Sequence, residues 1–206
     1  LLNKPTSSVS LLANTTVRFN NVLEIRSGTF KDGGNFVNVA GDIINSSVHL
    51  SSYPAGGIKL VGVKNQKLRG YGATYGNIVI DNTNGISLVG NATINGRLIF
   101  ENGLLYIDDY LLTLGVNATV EGAFDNHKMI ILNGALSDLG VRKMFPSGAS
   151  SQFTIPIGVD GKYTPATYTI TSSTTPGAIT VRPVNREHPA LNDIVANELQ
   201  YYWNVD

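Results

Sequence analysis

The stretch that decides the fold covers residues 86–122: ISLVGNATINGRLIFENGLLYIDDYLLTLGVNATVEG. Within it Asn91-Ala92-Thr93-Ile94-Asn95-Gly96 returns as Asn117-Ala118-Thr119-Val120-Glu121-Gly122, a shift of 26 residues. At that shift Ile86 falls on Leu112 and Leu88 on Leu114. One step earlier, Asn65, Leu68 and Gly70 take the places of Asn91, Ile94 and Gly96. A fixed period in this range marks solenoids and repeat arrays. Between the repeated points, aliphatic residues alternate (Ile86, Leu88, Ile94, Leu98, Phe100, then Leu105, Ile107, Leu112, Leu114) and are interrupted by Gly90, Asn95-Gly96 and Asn102-Gly103. Alternation of period two is a strand signal. Strands this short, each closed by Gly or Asn, fit the faces of a parallel β-helix, whose coils contribute two or three strands and then bend. Inward side chains then stack on their equivalents about 4.8 Å away in the next coil. Ile86 is expected over Leu112, Ile94 over Val120, and Asn65, Asn91 and Asn117 in an asparagine ladder at one corner.

Outward from this stretch the chain stays β-like. Leu23-Glu24-Ile25-Arg26 and Phe36-Val37-Asn38-Val39 alternate, with the turn Lys31-Asp32-Gly33-Gly34-Asn35 between them. Asp-Gly and Gly-Gly supply the positive φ angles that tight turns require. Val48-His49-Leu50 and Ile58-Lys59-Leu60-Val61 repeat the design. After about residue 135 the register is lost. Val159-Asp160-Gly161-Lys162 has the form of a two-residue hairpin. Tyr168-Thr169-Ile170-Thr171 and Ala178-Ile179-Thr180-Val181-Arg182 read as an antiparallel pair around Thr175-Pro176-Gly177. The expected fold class is therefore all-β: a parallel β-helix (β-solenoid) over residues 1–139, followed over 140–206 by an antiparallel β-sandwich-like module, incomplete at its C-terminal end. That module would cover the edge of the last coil, which otherwise invites pairing with other chains. One helical turn is expected, at 191–198. The opening Leu-Leu-Asn-Lys-Pro and the strand-like ending read as a piece of a longer chain, whose remainder is then a partner of this segment.

Composition narrows the function classes. Of the 206 residues, 15 % are charged and the formal net charge is zero, against roughly 25 % charged in an average soluble domain. Nucleic acid, whose binding rests on clustered cationic groups, is not an expected partner. Absence of cysteine excludes disulfides, thiolate metal sites and a cysteine nucleophile. Polarity comes instead from Asn, Ser, Thr and 22 glycines, residues suited to close stacking and tight turns.

Chemistry is harder to find. His49, His127 and His188 stand alone, outside any metal motif. Asp108-Asp109 is the most suggestive acidic pair, yet neighbours on a strand point to opposite faces. Asp81, Glu101, Asp108, Asp109, Glu121 and Asp125 would have to gather on one face to serve polysaccharide cleavage, which needs two carboxylates at defined spacing. Residues 70–76 (GYGATYG) imitate a nucleotide loop without the helix that would receive phosphate. Tyr53, Tyr71, Tyr75, Tyr106 and Tyr110 lie near turns and either cap the core, with their hydroxyls in water, or offer faces to sugars. The sequons at Asn14, Asn45, Asn91 and Asn117 matter only in a eukaryotic secretory pathway. No catalytic, cofactor or metal residue is assigned.

Several runs together resemble a family. KNQKLRG (64–70), NIVIDNTNGISL (77–88), NATINGRLIFENGLL (91–105) and LLTLGVNATVEG (111–122) have the form of the repeats in large Bacteroidota surface proteins. FTIPIGVDGKYTPATYTI (153–170) looks like the Pro-Ile-Gly module that follows such coils, and VRPVNREHP with YYWNVD is similar to its ending. The resemblance covers residues 56–206. It implies a non-enzymatic adhesin or gliding-associated protein at the extracellular bacterial cell surface, exported by the outer-membrane type IX secretion machinery, with surface glycans as a further class of partner. The sorting domain used for that export would then lie beyond Asp206.

Overall fold

The computed structural model describes residues 1–52, 55–148, 150–190 and 199–206, and every helix- or strand-type element among them is a β-strand. The turn expected at 191–198 lies outside the described residues. After β1 (Leu2–Ser10) the chain winds in coils. The first holds β2 (Val17–Phe19) and the long β3 (Leu23–Lys31), which bends at Gly28 (φ 80°) and serves two faces. The second holds β4 (Phe36–Val39), β5 (Ile43–Asn45) and β6 (Val48–Leu50); the third β7 (Gly57–Leu60), β8 (Gln66–Gly70) and β9 (Thr74–Tyr75). Then come β10 (Ile78–Asp81), β11 (Ile86–Val89) and β12 (Ala92–Ile94), followed by β13 (Arg97–Asn102), β14 (Leu105–Asp108) and β15 (Leu111–Leu114). The last coil is β16 (Thr119–Gly122), β17 (Ile130–Leu132) and β18 (Gly140–Phe145).

The protein is thus a β-solenoid of about six turns with three parallel faces. The first face is a six-stranded sheet, β2-β4-β7-β10-β13-β16. The second (β5-β8-β11-β14-β17) and third (β6-β9-β12-β15-β18) meet through β3 in one 16-stranded sheet. Inward residues form continuous columns. Val37, Ile58, Ile78 and Leu98 pair in turn on the first face, as do Val39, Leu60, Ile80 and Phe100. All eight are buried. Each fully buried aliphatic side chain contributes about 1.5–3 kcal/mol relative to exposure, so the columns form one long core shared by all coils.

The expected 26-residue stack is corrected. Ile58, Ile78 and Leu98 are 20 residues apart, as are Leu68 and Leu88, and Ala92 and Leu112. Ile86 pairs with Leu105, not Leu112, and Ile94 lies against Leu114, not Val120. Asn65, Asn91 and Asn117 therefore form no ladder. They precede β8, β12 and β16, which belong to the second, third and first faces respectively. A shift of 26 is one coil plus about one side, so each repeat lands on the next face. Asn65 accepts from Ser87 Oγ (3.0 Å) and Asn91 accepts the Leu111 N–H (2.9 Å), both in the following coil. Asn117 lies exposed at a corner. The amides that bind coils together are others: Asn35 Oδ1 accepts the Thr15 N–H and Asn77 Oδ1 the Arg97 N–H, each at 2.8 Å.

Beyond residue 139 the parallel ladders persist for a while. β18 continues the third face on β15. After β19 (Ser151–Ile155), β20 (Ile157–Val159) continues the second face on β17. β20 then turns through Asp160-Gly161 into β21 (Lys162–Tyr163), the hairpin expected from sequence. The pairing expected between residues 168–171 and 178–182 is not formed. β22 (Ala166–Ile170) instead pairs with β19, and β23 (Gly177–Val184) lies antiparallel on β18 and carries β24 (Tyr202–Val205). Antiparallel strands thus complete the same large sheet, and the β19–β22 ribbon sets Phe153 and Tyr168 against the core.

Candidate functional site

Carboxylates and cations gather on the outer side of the first face. Lys59 Nζ lies 2.9 Å from Asp81 and 2.5 Å from Glu101, and Arg97 grips Glu121 through Nε (2.8 Å) and Nη2 (2.5 Å). Strand alternation on β7, β10, β13 and β16 turns these side chains outward while their neighbours fill the core. The Asn102 amide and then Lys59 hold the Asp81 carboxyl below its ordinary range, and Arg97 does the same for Glu121. Burial presses on the Lys59 ammonium, but Glu101 and Asp81 outweigh it and raise its pKa. Such carboxylates stay ionised at neutral pH and suit electrostatic cross-linking of coils better than proton donation. Asp108 ends β14 with φ 50°, Asp109 lies in the turn after it, and Asp125 turns back on the His127 N–H (2.8 Å). Three of the six acidic candidates thus share a face. Among the described residues, no three His, Cys, Asp or Glu groups are arranged to hold a metal.

His49 is fully buried together with Asp32. Its Nε2 lies 3.2 Å from Asp32 Oδ2 and 3.5 Å from Ser51 Oγ, and its Nδ1 accepts the Gly76 N–H at 3.3 Å. An accepting Nδ1 places the proton of the neutral ring on Nε2, directed at Asp32. Nucleophilic catalysis requires the opposite arrangement, with carboxylate and hydroxyl on different ring nitrogens. Burial pushes the Asp32 carboxyl up, but hydrogen bonds from His49, Ser51 and Gly34 outweigh it and leave its pKa lowered. This network locks the turn between the first two coils and performs no visible chemistry. His127 and His188 are exposed.

Lys143, in β18, occupies the position below Leu114 in a column that also holds His49, Tyr75 and Ile94. It is 3 % exposed. Its Nζ donates to Gly115 O (2.5 Å) and Val116 O (2.8 Å) and lies 5.1 Å from the Phe153 ring centroid and 5.6 Å from that of Phe145. Burial pushes its pKa down to about 8. The folded state therefore binds this proton less tightly than the unfolded chain, so stability is expected to rise with pH between about 8 and the ordinary lysine value of 10.5. The rise should be on the order of 2–3 kcal/mol. Urea unfolding at pH 7.5 and 9.5 measures it, and Lys143→Met should remove it. An equal rise in the variant would assign it to other groups.

The tyrosines separate. Tyr75 is fully buried with its hydroxyl donating to Arg69 O at 3.3 Å, not in water, and its pKa is raised by burial. Tyr71 is exposed, Tyr110 packs on the core, and Tyr53 lies outside the described residues. Of the sequon asparagines, Asn45 is buried. Residues 70–76 span the end of β8, a bend and β9, with no helix beside them among the described residues.

A groove of about 520 Å³ lies at the corner between the third and first faces, lined by Leu50, Ser51, Gly76, Asn77, Asn95, Gly96 and Asn117. Of these, sequence reading placed Asn117 in the expected ladder, Asn95-Gly96 at a strand interruption and Gly76 at the end of the 70–76 run, and joined none of them into a site.

Fold and corners together define a β-solenoid protein whose polar groups serve mainly to join coils. No protein-family model, no curated protein and no solved structure matches the chain.

Proposed function

We propose that this chain is a structural and adhesive, non-enzymatic segment of a large bacterial cell-surface protein, exported by the type IX secretion machinery. The observation that carries this reading is the unbroken core: the same inward columns run through successive coils, so each coil is held by its neighbours. Such a rod places a distal region away from the cell and resists local unfolding. In this reading the strands after residue 139 are the terminating, sandwich-like module, which closes the last coil's edge. Export is tested in the source bacterium by inserting an epitope at the exposed Asp160-Gly161 turn and labelling intact cells. Surface labelling that disappears when the type IX translocon is deleted is the expected result. Labelling that persists after deletion, or none in wild-type cells, overturns it.

A second reading, a β-helix polysaccharide lyase or hydrolase, draws on the convergence of Lys59, Asp81, Glu101, Arg97 and Glu121 on the first face. The mutual neutralisation of these groups supports the first reading instead. Depolymerisation of an acidic or neutral polysaccharide that is lost in Glu101→Gln would favour the enzyme.

A further inference from the structure

We propose that the concavity at the corner between the second and third faces binds an organic cation, an alkylammonium head, with Tyr71, Tyr110 and the Asp109 carboxylate as its contacts. The concavity, of about 530 Å³, is built by four successive coils. β8 reaches β9 through Tyr71-Gly72-Ala73, β11 reaches β12 through Gly90-Asn91, and β14 reaches β15 through Asp109-Tyr110. The connection from β17 to β18, residues 133–139, adds Leu139 to the lining. All four connections belong to the described residues.

Each connection is fastened to the next. The Gly72 N–H donates to Asn91 O (3.2 Å). Asn91 Oδ1 accepts the N–H of Leu111 (2.9 Å), the residue after Tyr110. Asp109 O accepts the Leu139 N–H (3.3 Å). Gly90, with φ 94°, is required by the stack: a Cβ there would lie 2.5 Å from Gly70 O. The position between the Tyr71 and Tyr110 connections is thereby kept free of a side chain. A frame fixed before the ligand arrives reduces the ordering cost of binding.

The chemistry of this corner selects the ligand. Its negative charge is not neutralised by the protein. Asp109 is exposed and lines the concavity, Asp108 precedes it, and Asp138 precedes the lining Leu139. None of the three forms an ion pair among the described residues. Asp138 is 2 % exposed; its Oδ2 accepts the Gly134 and Ala135 N–H groups (2.9 and 3.1 Å), and its Oδ1 has no partner among the described residues. Burial raises the Asp138 pKa against those two hydrogen bonds, and repulsion from Asp109 and Asp108 raises it further. No Lys, Arg or His among the described residues lines the concavity. Such a field attracts cations and disfavours phosphates and uronates. Tyr71, 65 % exposed, and the half-buried Tyr110 add aromatic rings, whose faces attract an ammonium or guanidinium group. Leu139, 47 % exposed, adds an apolar surface for the alkyl part. A metal ion fits less well, because no three carboxylate or imidazole groups are arranged to hold one among the described residues. Binding here requires neither export nor adhesion, so it stands or falls apart from the function proposed above.

The test uses the full chain, isotopically labelled, titrated separately with choline, tetramethylammonium and the acetylated amide of lysine. Calcium chloride, tetragalacturonate and methyl glucoside represent the competing classes. At least one organic cation should shift the Gly72 and Gly90 backbone amides and the Asn91 side-chain amide saturably, with millimolar affinity. A stronger response to choline or tetramethylammonium assigns a free small cation, and a stronger one to the lysine derivative assigns a side chain of a protein partner. Dimethylbutanol, in which carbon replaces the charged nitrogen of choline, should leave those resonances unmoved. Tyr71→Leu and Asp109→Asn should each lose roughly two- to fivefold in affinity. Asp125→Asn, at an exposed carboxylate in another turn, should lose nothing. The Tyr71 and Asp109 side chains are exposed and hold no coil together, so thermal unfolding of both variants should match the parent and separates lost binding from lost folding. Silence toward all three organic cations at tens of millimolar overturns the proposal. So does an equal response to dimethylbutanol, unchanged affinity in both variants, or binding confined to calcium, tetragalacturonate or methyl glucoside.

Discussion

Gly103→Ala is expected to destabilise the protein by about 3 kcal/mol or more, measured by urea unfolding, although only one methyl group is added. Gly103 lies between β13 and β14 with φ 94°. An L-residue there carries about 1–2 kcal/mol of strain. The larger cost comes from the neighbouring coil: an added Cβ would lie 1.9 Å from Asn82 O and 2.8 Å from its carbonyl carbon. Those atoms are backbone, and the Asn82 N–H is bound to Asn102 O at 3.0 Å, so relief requires parting two coils. Overpacking of this kind costs about 1–3 kcal/mol. Gly161→Ala is the matched control. Gly161 has φ 70°, but its Cβ would meet nothing within 4 Å, so only the strain of about 1–2 kcal/mol is expected. Equal losses at the two sites would show that backbone conformation, not coil stacking, sets the cost.

The second large effect is at Asp32. Asp32→Ala should cost about 3 kcal/mol near neutral pH, because it strips a buried charged acceptor from several donors at once. His49 Nε2 and the Gly34 N–H (2.9 Å) would both lose their partner inside the fold. The stacking of the His49 ring on Phe30, with centroids 5.7 Å apart, leaves little room for water to replace it. The pH dependence has a definite sign. The folded-state pKa of Asp32 is lowered, so its contribution is fully present above the unfolded value of about 3.8 and is lost as pH falls through the lower folded value. The gap between parent and variant should therefore close in acid. An exposed pair of the same composition, His127 with Asp125 at 3.9 Å, should give under about 1 kcal/mol on Asp125→Ala. A loss at Asp32 no larger than that would contradict the buried network.

The strand pattern was legible because inward positions of a β-coil must be apolar. Ile78, Ile80, Ile86, Leu88, Leu98, Leu105 and Leu112 announce their burial two residues at a time. The period was misread for a physical reason. A coil of three similar sides resembles itself after one side as well as after one turn. The longest identical run, Asn-Ala-Thr, matched a strand on the third face with one on the first. Local sequence carries the turn-then-strand unit and does not say which face receives it.

The polar interior was hidden for a related reason. His49 stands between Val48 and Leu50, and alternation would turn those two inward. The structure turns His49 in, because Asp32 waits for it from the preceding coil and Phe30 lies beside it. Lys143 likewise looks like a surface residue in Gly140–Phe145, yet it ends a hydrophobic column because two carbonyls of the turn above it need a donor. The corner groove has no local signature at all. It follows from the difference between two-residue turns and their longer neighbours, which becomes a cavity only when the coils are stacked.

By itself, then, the sequence determined an all-β solenoid with turns at Gly and Asn, a hairpin at Asp160-Gly161, and a neutral surface without cysteine chemistry. These depend on backbone conformation and on apolar alternation within a few residues. Tertiary structure alone decided the register from coil to coil, 20 residues for Ile58, Ile78 and Leu98 but 29 for Leu112 and Val141, the burial of Asp32, His49 and Lys143, the antiparallel partners of β18 and β19, and the alignment of Asn77, Asn95 and Asn117 along one corner. Those features join residues 11 or more positions apart, 17 for His49 with Asp32 and 28 for Lys143 with Gly115. Which residues meet at such separations is set by how many fit around a coil, a quantity that no single turn encodes.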